Sequence, residues 1–149
     1  LMDKIKPTAF ERLEVIPSEV DLCGVDVELA RSENHLLRVS MALQPVVHSG
    51  RFDLILVDCP PSVGMLTLNA FAGADGLLVP LQCEFFALEG LTQLMRTIDL
   101  VRGSLNPSLE IQGIVLTMYD KRNKLTGRQV QRKRRLMAHV KKNKKSKKK

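Results

Sequence analysis

The chain has 149 residues, 44% hydrophobic and 26% charged, which is enough for one globular domain with a real core. Its apolar runs are too short to cross a bilayer, so we do not expect a membrane protein. Acidic residues lie near the amino terminus, where a targeting peptide would have none, so we do not expect a leader either. The net charge is +7, but 12 of the 23 Lys and Arg residues lie within residues 128–149, which contain no acid. Residues 1–127 therefore have 11 Lys and Arg against 16 Asp and Glu, a net charge of −5. The basic balance therefore belongs to a tail, and it does not by itself indicate a nucleic-acid-binding domain.

The first 50 residues predict one strand and two helices. The strand is expected at residues 13–16, before Pro17. Ser18 then caps a helix that runs to about Arg31, and a second helix begins at Ser32 and is disturbed near Pro45. The cysteines lie far apart, without a C-x-x-C pair, so we expect reduced, buried thiols of an intracellular protein; they are Cys23, Cys59 and Cys83.

The stretch RFDLILVDCPP, residues 51–61, is central to the prediction. Its apolar run, residues 54–57, predicts a strand buried on both faces, as in a parallel sheet, and Pro60 and Pro61 end it. Asp58 is then expected at the carboxyl end of a central strand, where open α/β sheets bind ligands. A carboxylate there suits the magnesium ion of a nucleotide, but it suits equally a cap for the following helix. The apolar run leaves both readings open.

The rest of the chain predicts a helix at 65–74, a strand at 77–79 that stops at Pro80, a helix at 87–105 and a strand at 111–118. Strands and helices alternate at βαβ spacing, which predicts an α/β fold with a parallel sheet. We divide the chain into a folded part, residues 1–127, and a basic low-complexity tail, residues 128–149, that is expected to be disordered.

Four segments together resemble the ParA/Soj chromosome- and plasmid-partitioning ATPases, which belong to the deviant Walker A group of P-loop NTPases. They read LEVIPSEVDLCGVDVELA, LILVDCPPSVGMLTLNA, GADGLLVPLQCEFFALEGLTQLMRTIDLVR and IQGIVLTMYDKRN, and the similarity runs from about Pro7 to Thr126. The resemblance implies part of a three-layer αβα P-loop NTPase fold, cut at both ends. It also implies a family that uses ATP and magnesium to dimerise on DNA during segregation, in the cytoplasm and on the nucleoid. Its implied partners are non-specific DNA, a ParB-like protein and a second copy.

The resemblance assigns roles to three residues of the central stretch. Asp58 falls on the Walker B aspartate, which helps to hold the magnesium ion, through water, and Pro60 and Pro61 fall on a diproline turn beside the nucleotide. Cys59 lies between them. We interpret it as a packed small residue rather than a nucleophile, because no histidine or other base is placed to activate it.

Further along, Gln82, Glu84 and Phe85 fall on a family loop near the nucleotide and the dimer face. Phe85 also suits an ordinary core position, as does Phe86 beside it. Arg122 matches an arginine implicated in non-specific DNA binding, where a guanidinium pairs with phosphate without reading a base. Without the resemblance, it would be read as a solvated loop charge.

The sequence also departs from the family pattern. It contains no K-G-G-x-G-K-T-T loop, whose main-chain N–H groups and lysines cradle the phosphates, and no acidic second motif. We therefore predict that this chain alone neither binds ATP tightly nor hydrolyses it at a family-like rate. The strand that feeds the loop normally lies beside the strand ending at Asp58, so we also expect marginal stability, or a gap that another chain fills.

A second reading comes from another class of protein. In it, the α/β body is a non-catalytic scaffold, and the lysine-rich tail contacts nucleic acid or acidic surfaces by counterion release. The same tail composition also suits a plain solvated end. A MinD-like or iron–sulfur-carrier ATPase fits less well, because the sequence has neither a membrane-binding amphipathic end nor a paired-cysteine motif.

Overall fold

The computed structural model describes residues 1–24, 32–82 and 87–118. These residues form two compact units. The first contains the described residues of 1–75 and 98–109, and the second contains those of 76–97 and 110–118. The tail and Arg122 lie outside the described residues.

The first unit begins with a small antiparallel hairpin. A 3₁₀ turn at Met2–Lys4 leads into β1, Lys6–Pro7, which pairs with β2, Glu14–Val15. The strand predicted at residues 13–16 is therefore present, but it is short and its partner is antiparallel. The helix predicted from Ser18 begins as a 3₁₀ turn, Val20–Gly24, and the rest of its predicted range lies outside the described residues.

Two helices follow in the same unit: α1, Arg38–His48, and α2, Met65–Gly73. α1 starts six residues later than the sequence predicts, because the chain turns at Asn34, which has a positive φ of 56° and accepts a hydrogen bond from the Leu37 N–H at 2.8 Å. The helix ends one turn after Pro45, whose carbonyl accepts a hydrogen bond from the Ser49 N–H at 3.1 Å.

α1 and α2 pack closely at one crossing point. A Cβ built on Gly73 would lie 3.0 Å from the Cα of Ser40, so the two main chains approach as only a glycine allows. Fully or nearly fully buried apolar side chains form the core of this unit, and they are Val46, Ala70, Phe71, Ile98, Val101 and Leu109. Asn106 closes the end of α2, because its Nδ2 donates to the carbonyls of Phe71 at 3.0 Å and Ala74 at 2.8 Å.

The second unit contains the parallel pair that the βαβ spacing predicts. β3, Gly76–Gln82, pairs in parallel with β4, Glu110–Thr117, with a register irregularity between Leu77 and Leu78. α3, Ala87–Ser104, connects the two strands along the chain. The prediction of an α/β fold with a parallel sheet is confirmed.

β3 is longer than the sequence predicts. It continues through Pro80, which lies opposite Val115, and ends at Gln82. A proline is tolerated in a strand that has an unpaired edge, because no neighbour there needs its missing N–H. Within the described residues, β3 has β4 as its single neighbour, so such an edge exists.

Residues 54–57 do not form the buried central strand that the sequence predicts. All four side chains are exposed, and no strand among the described residues pairs with them. Within the described residues, none of their main-chain N–H groups has a hydrogen-bond acceptor. Of their four carbonyls, only that of Val57 accepts a hydrogen bond, from the Cys59 thiol. A strand needs a neighbour that pairs with its main chain, and no described residue provides one, so the prediction of a buried central strand is wrong.

Candidate functional site

Residues 51–63 form a segment without helix or strand between α1 and α2. It begins after a turn in which Gly50 has a φ of +61°. Two ion pairs connect its start to the amino-terminal hairpin: Arg51 to Glu14, and Asp53 to Arg12 with 3.4 Å between Nη2 and Oδ2. The second pair is highly exposed, so it contributes little to stability. The start of the segment is thus held against the hairpin.

Asp58 follows the apolar run and is exposed to solvent. The side chain is accessible to a ligand, but it does not lie at the end of a strand, so the geometric reason for placing it at a sheet edge fails in this chain. Its role as the magnesium-binding aspartate therefore depends on the resemblance and stays a prediction.

Cys59 is half-buried, and its Sγ lies 3.8 Å from the Val57 carbonyl oxygen. Burial raises the pKa of the Cys59 thiol, and the neighbouring Asp58 carboxylate adds to the rise. A protonated thiol is a poor nucleophile, which agrees with the interpretation of Cys59 as a packed residue.

Pro60 and Pro61 are exposed and lead directly into α2. The turn that follows them is fixed by Thr67, a buried residue of the first turns of α2, whose Oγ1 donates to the Ser62 carbonyl at 2.8 Å. The two prolines restrict their own φ angles, so this stretch has little conformational freedom. The two prolines therefore stiffen the chain ahead of the helix, and their place beside a nucleotide, which the resemblance implies, stays a prediction.

Asn69 is a residue of this region that the sequence interpretation missed. It is fully buried on α2, its Oδ1 accepts from the Val39 N–H at 3.2 Å, and its Nδ2 donates to the His35 carbonyl at 2.7 Å. It joins the helix after the diproline to the start of α1. The signal for it was an amide in the middle of a mostly apolar helix, where a buried polar group needs partners.

The remaining predicted site residues are only partly within the described chain. Gln82 is exposed at the end of β3. Glu84 and Phe85 lie outside the described residues, as does Arg122. The interface and DNA-binding assignments are therefore untested by the structure and stay predictions.

The residues that are described do not make a complete site for magnesium and nucleotide. Magnesium prefers near-octahedral oxygen coordination, and Asp58 offers one carboxylate. Among residues 1–24, 32–82 and 87–118, no group of three or more His, Cys, Asp or Glu residues is placed to hold a metal ion. The phosphate-cradling loop does not occur in the sequence either, so the described residues alone do not form a nucleotide site.

No helix in the described part of the chain is long and apolar enough to span a membrane.

Comparison with known protein families gives a match over most of the chain. A family model described as AAA domain matches residues 1–111. The chain is 55% identical over 126 residues to the chromosome partitioning protein ParA of Caulobacter vibrioides, and 44% identical over 125 residues to the sporulation initiation inhibitor protein Soj of Bacillus subtilis. These alignments cover 85% and 84% of this chain, but 47% and 49% of the relatives. The chain thus spans about half the length of the curated relatives it matches.

Two solved structures share the fold. One is the cobyrinic acid a,c-diamide synthase of Mycobacterium smegmatis with bound ADP and magnesium, at 34% identity and a TM-score of 0.78, covering 87% of this chain and 51% of that protein. The other is a plasmid partition protein of Borrelia burgdorferi, at 23% identity and a TM-score of 0.70, covering 84% of this chain and 50% of that protein. The second comparison concerns the fold alone.

The parallel β3–α3–β4 arrangement and these neighbours place the chain in the P-loop NTPase class of α/β proteins. The chain belongs to the AAA domain family, and its relatives there include the ParA and Soj partitioning proteins.

Proposed function

We propose that this chain is the central part of a ParA/Soj-type partitioning ATPase, which dimerises on DNA in an ATP-dependent way and segregates a chromosome or a plasmid. The 55% identity to the Caulobacter ParA is the observation that carries this proposal. A match that covers 126 of 149 residues necessarily includes Asp58 and Arg122. The region with the predicted metal and DNA contacts is therefore inside the similar part.

In the whole protein, Asp58 contributes one carboxylate toward the magnesium ion, and the phosphate-binding groups come from residues outside this chain. The exposed position of Asp58 supports this role, because a ligand can reach the carboxylate. The implied cofactors are ATP and magnesium. The implied partners are a second copy, non-specific DNA and a ParB-like protein, in the cytoplasm and on the nucleoid.

A chimera tests the proposal. The matched segment of Caulobacter vibrioides ParA is replaced by the corresponding segment of this chain, so that the missing parts are supplied in the same polypeptide. We expect magnesium-dependent ATP hydrolysis that the Asp58→Asn substitution lowers by about 10–100-fold, as for a group that holds a metal through water. The control is Asp53→Asn, an exposed acid five residues earlier, which we expect to change the rate less than about twofold.

The proposal is wrong if the folded chimera hydrolyses no ATP above background. Equal rates for the Asp58→Asn and Asp53→Asn chimeras would instead remove the metal-binding role from Asp58 and leave the family function standing.

Non-specific DNA binding has two candidate sources in this chain, Arg122 and the tail. The tail qualifies because residues 128–149 carry 12 basic residues and no acid. If the tail binds DNA, affinity falls steeply with salt, needs no ATP and is lost when residues 128–149 are deleted. If the ATP-bound dimer binds DNA through Arg122, binding requires ATP and is weakened by Arg122→Ala, whereas Arg38→Ala on α1 leaves it unchanged. Filter-binding assays across a salt series, with and without ATP, separate the two.

A further inference from the structure

Thr67 makes a hydrogen bond that leaves its own helix. It is the third residue of α2 and is only 4% exposed, and its hydroxyl donates at 2.8 Å to the carbonyl of Ser62, three residues before the helix begins. A threonine inside a helix commonly donates to the carbonyl four residues back in the same helix, as Thr97 does to Gln93 at 3.3 Å. The Thr67 bond instead attaches α2 to the chain that precedes it.

The chain between Ser62 and Asp58 has little freedom to turn. It consists of residues 59–61, two of which are prolines, and the ring of each proline fixes its φ angle. Cys59 and Pro60 each precede a proline, which restricts their own backbone conformations as well. A constraint on Ser62 is therefore passed along a stiff connection to Asp58.

The chain on the other side of Asp58 provides no comparable constraint. Within the described residues, the main-chain N–H groups of residues 54–57 have no acceptor, and the four side chains are exposed. One weak contact spans Asp58, because the Cys59 Sγ lies 3.8 Å from the Val57 carbonyl oxygen. The direction of Asp58 is thus set chiefly from the side of α2.

We propose that Thr67 is a positioning residue, which acts through Ser62 and the two prolines to fix the direction in which the main chain presents Asp58. The inference rests on the proposed function, in which Asp58 contributes a carboxylate toward a metal ion, and adds to it the residue that orients this carboxylate. A carboxylate on a fixed main chain loses less conformational entropy on binding than one on a mobile chain. Groups that orient a metal ligand therefore affect metal affinity without touching the ion.

Two buried threonines provide matched variants. Thr67→Val keeps the branched shape but removes the hydroxyl, whereas Thr67→Ser keeps the hydroxyl. Thr97→Val is the control, because Thr97 is 8% exposed and its bond stays within α3. Both valine variants lose one hydroxyl at a buried position, so a general loss of stability would affect both. Urea denaturation followed by circular dichroism compares their folding.

The first measurement uses the full 149-residue chain and needs no metal. Nitrogen-15 relaxation gives the order parameters of the Asp58 and Cys59 amides on the picosecond-to-nanosecond timescale. We expect values near the ~0.85 of a rigid backbone in the parent, Thr67→Ser and Thr97→Val chains, and values below ~0.6 in Thr67→Val. A threonine that only stabilised the start of α2 would leave Asp58, nine residues earlier, unchanged.

The second measurement uses the chimera that tests the proposed function. Manganese(II) is the probe, because carboxylate oxygens bind it as they bind magnesium, and electron paramagnetic resonance counts the free ion in the presence of ADP. We expect Thr67→Val to weaken manganese binding about 3–10-fold, less than the loss of about 10–100-fold expected for Asp58→Asn. At saturating magnesium, kcat should stay within about twofold of the parent, since excess ion compensates for a poorly oriented ligand. Thr97→Val should change neither value more than about twofold.

Pro61→Ala tests the same connection at an exposed residue, without removing a buried group. It frees one φ angle between Asp58 and Ser62, so we expect it to lower the Asp58 order parameter as Thr67→Val does. This variant decides the matter if Thr67→Val does not fold.

The inference is overturned if the Asp58 order parameter is the same in the parent and in the folded variants. Equal changes in Thr67→Val and Thr97→Val, a Thr67→Ser chain that behaves like Thr67→Val, or unchanged manganese affinity would overturn it as well. An active chimera with any of these results keeps the proposed function and removes the role of Thr67. A parent chimera without ATP hydrolysis removes the proposed function, while the order parameters of the 149-residue chain still decide whether Thr67 fixes Asp58.

Discussion

Asn69 of α2 holds the Val39 N–H at the start of α1, with 3.2 Å between Oδ1 and N, across 30 residues of sequence. The first N–H groups of a helix have no partner within the helix, and this amide supplies one of them. Its Nδ2 also donates to the carbonyls of His35 and Met65. One buried side chain therefore fixes the start of α1 against the helix that follows the diproline.

Replacing Asn69 by Ala is expected to lower the free energy of unfolding by about 2–3 kcal/mol, because the change leaves buried main-chain groups without partners. The control is Gln44→Ala, an exposed residue of α1, which we expect to change it by less than about 0.5 kcal/mol. Urea denaturation followed by circular dichroism measures both. Similar values for the two variants would contradict the role of Asn69.

Gly73 and Gly103 provide a pair of helical glycines with opposite expectations. Gly73→Ala puts a Cβ 3.0 Å from the Ser40 main chain, so α1 and α2 must move apart, at a cost of about 1–3 kcal/mol. A Cβ added at Gly103 would have no other atom within 4 Å, and alanine has the higher helix propensity. Gly103→Ala should therefore stabilise α3 by about 0.5–1 kcal/mol. Thermal unfolding of both variants measures the difference, and a Gly73→Ala protein as stable as the parent would contradict the close packing.

The Cys59 thiol should ionise at higher pH in the folded chain than in the unfolded chain, chiefly because of burial. Above the ordinary thiol pKa, the unfolded chain therefore loses this proton first, so ionisation of Cys59 favours unfolding as the pH rises. Alkylation by iodoacetamide, followed by peptide mass spectrometry from pH 7 to 10, measures the midpoint of reactivity.

The Asp58→Asn substitution should lower that midpoint, because it removes a negative charge beside the thiol, but by less than unfolding does. The control is Asp53→Asn, because Asp53 lies earlier in the sequence than Asp58 and is not adjacent to Cys59. A midpoint that the Asp58→Asn change leaves in place would show that the carboxylate does not act on Cys59.

The 149-residue chain alone should not bind ATP with micromolar affinity in the presence of magnesium. Phosphate binding depends on a cradle of main-chain N–H groups and lysines, which this sequence lacks, and one carboxylate cannot replace it. Isothermal titration with ATP and magnesium checks this, with the chimera as the positive control. Micromolar affinity for the isolated chain would show that the missing loop is not needed.

The sequence by itself determined the elements that depend on local pattern. The apolar spacing from Leu88 to Leu105 predicted α3 to within a residue at its carboxyl end, and the run from Ile111 predicted β4 nearly as well. It also predicted the α/β class, and the residue identities of four segments together carried the resemblance to the ParA/Soj family. These features follow from side-chain periodicity and residue identity, which a single chain carries with it.

Only the tertiary structure decided the fate of residues 54–57 and the role of Asn69. A segment forms a strand only when a neighbouring segment pairs with its main-chain N–H and C=O groups. No described residue pairs in this way with residues 54–57. Likewise, the role of Asn69 depends on its hydrogen bonds to Val39 and His35, which lie 30 and 34 residues away in sequence. A local sequence pattern cannot show that residues so far apart meet.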